Sequence, residues 1–570
     1  MREMRETAEP AIMLELTNIT KKGVLMGRHV RDLTPKQISG IIPSHMNITP
    51  KYSPTSDGSG RTILSKAKAR LVAGGDHQDR NMYSRTDITS PTCSITGLFT
   101  HAALACMEEE EVVVTDVTCA YLNARMPKDN PEKLVFLRID PFITPLLLKV
   151  NPSLQPYVTP GGTIIVELNR ALYGCIESAK LWFEELTNTL KNMGFSPNDC
   201  DPCLLTRYQN GVRTTVIIYV DDLMITSKKF RYIQEVITSL EKKYDKLKIS
   251  TGKIHSYIGM VFNFTTNVLI IDQIGMIEDI LISTRIAIDE YITTSLSPVQ
   301  RTSADKLRIS CGSASAKTPA ATYLLNVSPT SPPLNENLKC IFHSTVAKLM
   351  FISNRSRQDL LLAISFLAGR VLFPTEEDWG KLMRILRYLE STKMMRLQLG
   401  CTTPIQVHTS IDSSFNPISS GKSRSGVSIS LGRGVIYSKS TVQKINTTSS
   451  CQAELVALAK GLQQSLFLYY FLKSHGYPPL PVIVSQDNQS TIKLIENGRP
   501  TSELSRHIEI GYFWAKDLVE RKLIEVNYCP TEEMIADFFT KPLQSQPFNF
   551  LRGKIMGTSP LDPTYKNNEK

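Results

Sequence analysis

The sequence has little that would carry it into a membrane or out of the cell. No stretch approaches the run of about eighteen apolar residues that a membrane-spanning helix needs, and the best candidates are short segments such as 142–150. Residues 1–10 alternate Arg and Glu where a signal or transit peptide would place a basic stub and an apolar core. The sequence therefore predicts a soluble protein without a secretion signal.

Cysteines are present, but they are not spaced as a disulfide or zinc framework. The chain has 11 of them, an odd number spread over its whole length, which is typical of reduced thiols in the cytosol or nucleus. Cys200 and Cys203 form a CxxC pair, but no second pair follows at the spacing that a four-ligand zinc site requires. We interpret this pair as structural.

The composition is that of a folded protein with more than one domain. Hydrophobic residues make up 42% and charged residues 21% of the 570, which disfavours wholesale disorder and fibrous repeats. Lys and Arg number 65 against 54 Asp and Glu, a formal net charge of +11. This excess favours a polyanionic partner such as nucleic acid, although basic proteins without such a partner also exist.

One interval of biased composition divides the chain. Ser, Thr, Ala and Pro dominate residues 301–337, and three prolines within 329–333 disfavour regular structure there. We interpret this interval as a linker. After it, within 345–400, Leu and Ile recur at spacings of three and four with basic residues between them, which predicts helices.

Three aspartates are predicted to meet at one edge of a sheet. Residues 214–226 consist of two apolar runs on either side of Asp221 and Asp222, a pattern that predicts a hairpin with both acids at its tip. Asp116 ends another apolar run, 112–115. Aspartate is also common in turns that have no function. If the two segments share a sheet, the three carboxylates repel one another and need cations, as in a two-metal phosphoryl-transfer site.

Four more acids follow the linker, each near the end or start of a predicted element. Asp412 ends an alternating strand, and Glu454 lies in the first turn of an amphipathic helix. Asp487 follows a short apolar strand, and Asp537 lies on a predicted helix over 531–540. Each acid alone has an ordinary explanation as a partner of a helix dipole.

Four segments of the first half form a recognisable set in a fixed order. They are Lys68-Ala-Arg-Leu-Val-Ala-Gly74, the segment around Asp116, Ala171-Leu-Tyr-Gly-Cys-Ile-Glu-Ser-Ala-Lys-Leu-Trp182 and Tyr219-Val-Asp-Asp222. Together they resemble the reverse transcriptase of copia-type long-terminal-repeat retrotransposons. By this resemblance Asp116, Asp221 and Asp222 hold two Mg²⁺ ions, which assist attack by the primer 3′-hydroxyl and neutralise the leaving pyrophosphate.

The same resemblance implies four substrate contacts. Lys68 and Arg70 fall where the fingers of such polymerases contact the incoming triphosphate, although a solvated basic strand has the same pattern. Tyr121 lies where such polymerases keep an aromatic ring against the sugar, to exclude ribonucleotides by a clash with the 2′-OH. A core tyrosine is the alternative for that position. Tyr219, beside the paired aspartates, is also predicted to bind substrate.

The chain departs from the family pattern at several places. The family usually has Gln and Pro where this chain has Glu177 and Ala179, and a Glu near the nucleotide would add negative charge in the wrong place unless it faces away. The interval between Asp116 and Asp221 is long, with a Pro-rich insert over 140–162 that we expect to be a surface loop.

The second half carries an independent set of segments. They are Ser423-Arg-Ser-Gly426, Ser449-Ser-Cys-Gln-Ala-Glu454, Asp487-Asn-Gln-Ser490 and Ala536-Asp-Phe-Phe-Thr-Lys541. With their order of strand and helix, they resemble the copia-type version of the ribonuclease H fold. That fold would place Asp412, Glu454, Asp487 and Asp537 around two Mg²⁺ ions, with Mn²⁺ as the alternative, to cut the RNA strand of an RNA–DNA hybrid. His507 is implied to help product release, although an exposed His next to Arg needs no function.

The expected fold is an α+β polymerase of the right-hand type with fingers and palm, then a helical thumb or connection, then an α/β ribonuclease H-like domain with a mixed sheet. The predicted boundaries are 10–265 for fingers and palm, 266–300 for a strand and helix extension, 301–339 for the linker, 340–402 for the helical connection, 403–545 for the nuclease and 546–570 for a polar tail.

These resemblances lead to two functional hypotheses. The first is an RNA-directed DNA polymerase with ribonuclease H activity that uses an RNA template, a DNA primer and dNTPs. Its expected partners are the element's integrase and capsid proteins, in a cytoplasmic virus-like particle with passage into the nucleus, and no membrane. The second is a decayed or co-opted remnant that binds nucleic acid without copying it.

Overall fold

The computed structural model describes residues 2–54, 62–301, 304–309, 316–417, 421–497 and 509–559. Within these ranges, no helix is both long enough and apolar enough to cross a membrane. Two sheets lie in the first half of the chain, a third is shared by the two halves, and a fourth belongs to the second half.

The first part of the chain alternates short helices with strands. Its helices are α1 Arg2–Lys21, α2 Pro35–Ser39, α3 Arg85–Ile88, α4 Ile95–Met107, α5 Thr144–Val150, α6 Ser178–Asn192, α7 Phe230–Tyr244, α8 Ile274–Ser295 and α9 Pro298–Arg301. Its strands are β1 Leu25–Gly27, β2 Ile42–Pro54, β3 Thr62–Ala73, β4 Glu111–Asp116, β5 Phe136–Ile139, β6 Ile164–Leu168, β7 Ser196–Pro197, β8 Leu204–Gln209, β9 Val212–Tyr219, β10 Asp222–Ser227, β11 Lys248–Thr251, β12 Ile254–Tyr257, β13 Met260–Phe264 and β14 Leu269–Asp272.

The second part begins with helices and continues as a mixed α/β unit. Its helices are α10 Glu336–Ser353, α11 Leu361–Ala368, α12 Glu376–Ser391, α13 Ser450–Ser474, α14 Gln489–Asn497, α15 Glu509–Glu520 and α16 Ser545–Met556. Its strands are β15 Leu397–Cys401, β16 His408–Ser414, β17 Arg424–Ser430, β18 Gly432–Arg433, β19 Tyr437–Val442, β20 Val482–Gln486 and β21 Ile524–Tyr528.

Two sheets form the polymerase-like part. The first, in the order β1-β6-β5-β2-β3, is dominated by the long antiparallel β2–β3 hairpin, against which α1 packs. The second, in the order β11-β4-β10-β9-β8-β7, is antiparallel throughout. Its central strands β9 and β10 are buried along most of their length, and α4, which has no charged residue, is almost wholly buried. These are the expected fingers and palm.

A third sheet joins the two parts of the chain. Its order is β12-β13-β14-β15-β18, so β14 before the helical segment pairs with β15 after it. Between these strands, α10, α11 and α12 form the predicted helical segment. Its interior holds a fully buried ion pair, in which the Arg357 guanidinium donates two hydrogen bonds to the Asp359 carboxylate, which also accepts one from Tyr388 Oη at 2.7 Å.

The last sheet is mixed, in the order β19-β17-β16-β20-β21. β16 runs antiparallel to β17 and parallel to β20. The long helix α13 lies on this sheet, and its first turn is capped by the Ser449 side chain, which accepts a hydrogen bond from the Gln452 backbone N–H. At Gly461 the helix passes so close to the sheet that a Cβ would lie 2.5 Å from Ile411. The predicted order of an α+β polymerase, a helical segment and an α/β unit with a mixed sheet is confirmed.

The end of α13 is docked directly on the palm through buried polar groups. His101 on α4 and His475 just after α13 share a hydrogen bond of 2.9 Å between ring nitrogens. Beside them, Tyr477 donates to the carboxylate of Glu108, and its ring lies 4.9 Å from the Arg213 guanidinium. Buried polar groups are costly unless they are paired, so these bonds specify one seating of the two parts.

Three segments differ from their predicted form. The insert over 140–162 contains α5 and a 3₁₀ turn, and Leu147 and Leu154 are buried. The described parts of the linker contact α12, through the 3₁₀ turn Ala304–Leu307 and through the hydrogen bond of Arg384 to Thr318, and Thr318 also bonds to Gln544 near the C-terminus. The first residues of the predicted polar tail form α16. In each case a few apolar side chains reach a core that composition alone does not reveal.

Two candidate carboxylate sites

The first candidate site is the tip of the palm hairpin. Asp116 ends β4 and Asp222 begins β10, and the two residues pair directly across antiparallel strands, which places their Cα atoms about 4.5–5.5 Å apart. Asp221 lies in the two-residue turn before Asp222, and its carbonyl accepts a hydrogen bond from the Val117 N–H at 2.9 Å. The structure therefore brings the three acids together at one sheet edge, as the sequence predicts.

The turn that carries Asp221 is held in an unusual conformation. Val220 has a φ of 61°, in a region that β-branched residues rarely adopt. The indole N–H of the fully buried Trp182 donates to the Val220 carbonyl at 2.7 Å. This bond supports the turn, because strained backbone persists only where its surroundings hold it.

A cavity of about 520 Å³ opens in front of Asp116 and Asp221. Lys68 and Arg70 on β3 line the same cavity, so the predicted triphosphate contacts and the acids share one cavity. Tyr173 also lines it, and the Arg70 guanidinium lies 4.9 Å from the centre of that ring. The cavity lining thus contains both carboxylates and cations.

Sequence reasoning missed three residues of this cavity. Tyr173 lies inside a quoted motif, but only the fold turns its ring toward the acids. Glu15 of α1 is buried against β3 and accepts a hydrogen bond from the Leu71 N–H at 3.3 Å, and Lys248 lies 3.4 Å from the carboxylate of Asp116. No local pattern distinguishes these two charges from ordinary surface charges.

The other predicted contacts lie just outside the cavity lining. Tyr121 is half-buried in a 3₁₀ turn, and its ring lies 5.2 Å from that of Tyr173. Tyr219 ends β9 opposite Asp222. The buried Glu177 carboxylate accepts hydrogen bonds from Gln78 and from the Tyr83 hydroxyl, both at 3.1 Å. Glu177 is not among the described residues that line the cavity, and its carboxylate is engaged by Gln78 and Tyr83, which answers the electrostatic objection to a Glu at that position.

The second candidate site lies at the edge of the mixed sheet. Carboxylate oxygens of Asp412 on β16, Asp487 after β20 and Asp537 in a 3₁₀ turn lie within 4.8 Å of one another. The Asp537 turn spans Ile535–Phe539 and replaces the predicted helix over 531–540. Asp412 and Asp537 are buried, while Asp487 is half-buried.

Glu454 reaches the same region from the first turn of α13. Its Oε1 accepts hydrogen bonds from the backbone N–H and the hydroxyl of Ser413, both at 3.1 Å, so its carboxylate is tied beside Asp412. The ammonium group of Lys541 also lies within the cluster, which the sequence does not predict. Lys541 Nζ is 2.7 Å from Oδ1 of Asp537 and 3.9 Å from Oδ1 of Asp412.

Both sites resist full ionisation. Burial, then the charges of Asp221 and Asp116, raise the pKa of Asp222 to about 6. Burial and the neighbouring Asp412 raise the pKa of both Glu454 and Asp537 well above the ordinary range. Clustered carboxylate oxygens with raised pKa values are a suitable donor set for a hard divalent cation such as Mg²⁺ or Mn²⁺.

The raised pKa values predict a pH-dependent stabilisation by Mg²⁺. Because these carboxyl groups have raised pKa values in the folded chain, the metal-free protein loses stability as the pH rises through them. Metal binding requires the ionised forms and is therefore stronger at high pH. We expect saturating Mg²⁺ to raise the Tm by about 2–4 °C more at pH 8 than at pH 6, measured by thermal denaturation. Asp537→Asn should lose most of this difference, and equal shifts at both pH values would contradict the prediction.

One predicted site residue lies outside the described residues. His507 falls in 498–508, so its role in product release stays a prediction.

Comparison with known proteins agrees with the geometry. Residues 48–296 match the family model described as reverse transcriptase (RNA-dependent DNA polymerase). The chain is 25% identical over 498 residues to a retrovirus-related Pol polyprotein from transposon TNT 1-94 of Nicotiana tabacum, covering 86% of this chain and 34% of that protein. It is 26% identical over 550 residues to the Pol polyprotein from transposon RE1 of Arabidopsis thaliana, covering 95% and 33%.

Among solved structures, a foamy viral protease-reverse transcriptase in complex with double-stranded DNA aligns with 92% of this chain and 69% of that one, at 13% identity and a TM-score of 0.44. The chain spans about one-third of the length of the curated relatives it matches. The resemblance of the chain to the reverse transcriptase region of copia-type retrotransposon Pol polyproteins is confirmed.

Proposed function

We propose that this chain copies RNA into DNA at the palm site and cuts the RNA strand of the resulting hybrid at the second site. The observation that carries the proposal is the presence of two separate carboxylate clusters, each on the element order expected for its activity. The reverse transcriptase family match supports the first activity. The mixed sheet with acids on β16, α13, after β20 and in the following turn supports the second.

At the palm site the chain's own residues would bind and orient the nucleotide. The donor set of Asp116, Asp221 and Asp222 fits two Mg²⁺ ions, which when bound would favour ionisation of the attacking hydroxyl and neutralise the leaving pyrophosphate. Lys68 and Arg70, in the lining of the cavity, would neutralise the phosphate oxygens before and during transfer.

At the second site the buried carboxylates would fix the position of the scissile phosphate and the attacking water. Asp412, Glu454, Asp487 and Asp537 form a donor set for the same kind of cations. Lys541, which lies 2.7 Å from Asp537, would balance part of the negative charge and keep that carboxylate oriented.

The wider setting follows from the same proposal. Its substrates would be an RNA template, a DNA primer, dNTPs and an RNA–DNA hybrid. Integrase and capsid proteins of the element as partners, and a cytoplasmic virus-like particle with passage into the nucleus, are further parts of the proposal.

Primer extension tests the proposal. Purified protein with Mg²⁺, poly(rA) and an oligo(dT) primer should incorporate dTTP, and it should cut a labelled RNA strand annealed to DNA but not the same RNA alone. Binding of the hybrid with neither activity would instead support the co-opted remnant. Incorporation without cutting would confine the proposal to the palm site.

Tyr121 offers a test of sugar selection. If its ring excludes the 2′-OH, Tyr121→Val should lower the preference for dTTP over UTP, expressed as a ratio of kcat/KM values, by about tenfold or more. Tyr121→Phe keeps the ring and should retain the preference. An unchanged ratio in Tyr121→Val would show that Tyr121 only packs against Tyr173.

A further inference from the structure

A second large cavity lies beside the helical segment, away from the palm. It has a volume of about 710 Å³ and is formed by the described end of the linker, α12 and the start of α16. Its lining includes Lys317, Tyr323, Glu377, Lys381, Arg384 and Arg387.

The lining carries four cations and one carboxylate. That carboxylate, Glu377, is already engaged, because it lies 2.9 Å from Lys381 Nζ and accepts a hydrogen bond from the Ser328 N–H at 3.0 Å. Lys317, Arg384 and Arg387 therefore face the cavity without an acid to balance them in its lining. A site with this charge favours an anionic ligand.

Arg384 is held in place by neutral partners, and Arg387 is not neutralised by an acid. Arg384 donates from Nε to the Thr318 carbonyl at 3.1 Å and from a terminal nitrogen to the Thr318 hydroxyl at 2.9 Å. Arg387 has a buried Nε with no hydrogen-bond acceptor, and within the described residues neither it nor Lys317 forms an ion pair. Guanidinium groups fixed by neutral partners keep their charge available for a phosphate.

A short chain segment connects the cavity to the second carboxylate site. Gln544 in its wall is three residues after Lys541, which contacts Asp537, so their Cα atoms are at most about 11 Å apart. The helix that follows is anchored to the Asp537 turn by stacking of Phe548 on Phe538, at 5.1 Å between ring centres. One strand of a duplex carries a charge about every 3.4 Å along its axis, so the chain between Lys541 and Gln544 can span at most about three phosphates of one strand.

We propose that this cavity holds backbone phosphates of the RNA–DNA hybrid next to the nuclease carboxylates. The inference rests on the proposed function, because the hybrid is the substrate of that function. Tyr323, which is 55% exposed at the wall, adds an aromatic surface of the kind that packs against nucleic-acid strands.

Gly380 allows a test that leaves the cations untouched. It lies within α12 and lines the cavity, and a Cβ placed on it would meet no atom within 4 Å. Gly380→Glu and Gly380→Gln add side chains of equal size that differ in charge, and both improve helix propensity. With a fluorescent hybrid in Ca²⁺, measured by anisotropy, we expect Gly380→Glu to bind about tenfold more weakly than Gly380→Gln.

A second pair of variants measures the cations themselves. The double variant Lys317→Gln, Arg387→Gln should weaken hybrid binding and lower the slope of log K against log salt by about two. The control is Lys191→Gln, Lys242→Gln, which removes the same charge from exposed positions on α6 and α7. This control should bind as the wild type does.

The outcomes separate this inference from the function on which it rests. Wild-type protein that neither binds nor cuts the hybrid would refute the proposed function. Wild-type protein that binds and cuts the hybrid, with the two Gly380 variants and the two double variants all binding it equally well, would refute only the role of the cavity in hybrid binding. A third outcome is that inorganic phosphate raises the Tm of the wild type but not of the Lys317, Arg387 variant, while the two proteins bind the hybrid equally well. The cavity would then be a site for free anions, and its assignment to backbone phosphates of the hybrid would be wrong.

Discussion

Asp222→Asn is expected to abolish primer extension, with a loss of at least about 10³-fold in the rate of nucleotide incorporation. The substitution keeps the size of the side chain and removes a negative charge directly opposite Asp116. Because the pKa of Asp222 is already raised to about 6, Asn resembles the protonated form and should not destabilise the fold. Single-nucleotide incorporation on an RNA template is the measurement.

The same preparation provides the internal control. Hybrid cutting by Asp222→Asn should stay at the wild-type level, since the second carboxylate cluster is built from other elements. Asp129→Asn changes an exposed aspartate in the same half of the chain and should leave both activities intact. Incorporation by Asp222→Asn at more than a tenth of the wild-type rate would mean that the palm acids do not form the polymerase site.

Asp487→Asn should remove hybrid cutting to a similar extent and leave primer extension unchanged. Its carboxylate lies within 4.8 Å of ligand oxygens of Asp412 and Asp537, and a neutral amide there lowers the affinity for divalent cations. Hybrid binding should be retained, because less negative charge faces the phosphates. Cutting is measured on a hybrid with a labelled RNA strand, and binding by anisotropy in Ca²⁺.

An exposed aspartate on α15 is the matched control for this site. Within the described residues Asp517 forms an ion pair with Arg521 at the surface, so Asp517→Asn should cut normally. If Asp487→Asn cuts the hybrid as fast as this control does, the nuclease site lies elsewhere.

The sequence was sufficient for the catalytic candidates because their signals are local. An apolar run on each side of Asp221 and Asp222 predicts a hairpin, and the structure has β9 and β10 paired as expected. The helix of Glu454 is likewise marked by its cap at Ser449. The alternation of apolar residues and the capping of a helix depend on neighbouring residues, so both can be recognised in the sequence without knowledge of the tertiary fold.

The residues that sequence reasoning missed become part of a site only through distant contacts. Lys541 ends the segment 536–541, but the sequence predicts no role for it. Its position between two acids depends on how the turn that contains Asp537 packs on β16. Glu15 and Tyr173 reach the palm cavity from elements far apart in the chain. For the same reason, the sequence predicts a polar tail where the structure has α16. The few apolar residues of this helix are recognisable as core residues only when they pack beside Phe538.

The hydrogen bond between His101 and His475, with the contacts around Tyr477, has a consequence for how the two activities would be timed. If these contacts fix the second carboxylate site relative to the palm, that site keeps a constant distance from the primer terminus. Each cut in the RNA strand would then lie a constant number of base pairs behind the primer terminus. Weakening these contacts, for instance with His475→Ala, would broaden the distribution of RNA fragment lengths, because the distance between the two sites would vary. This substitution leaves both carboxylate clusters unchanged.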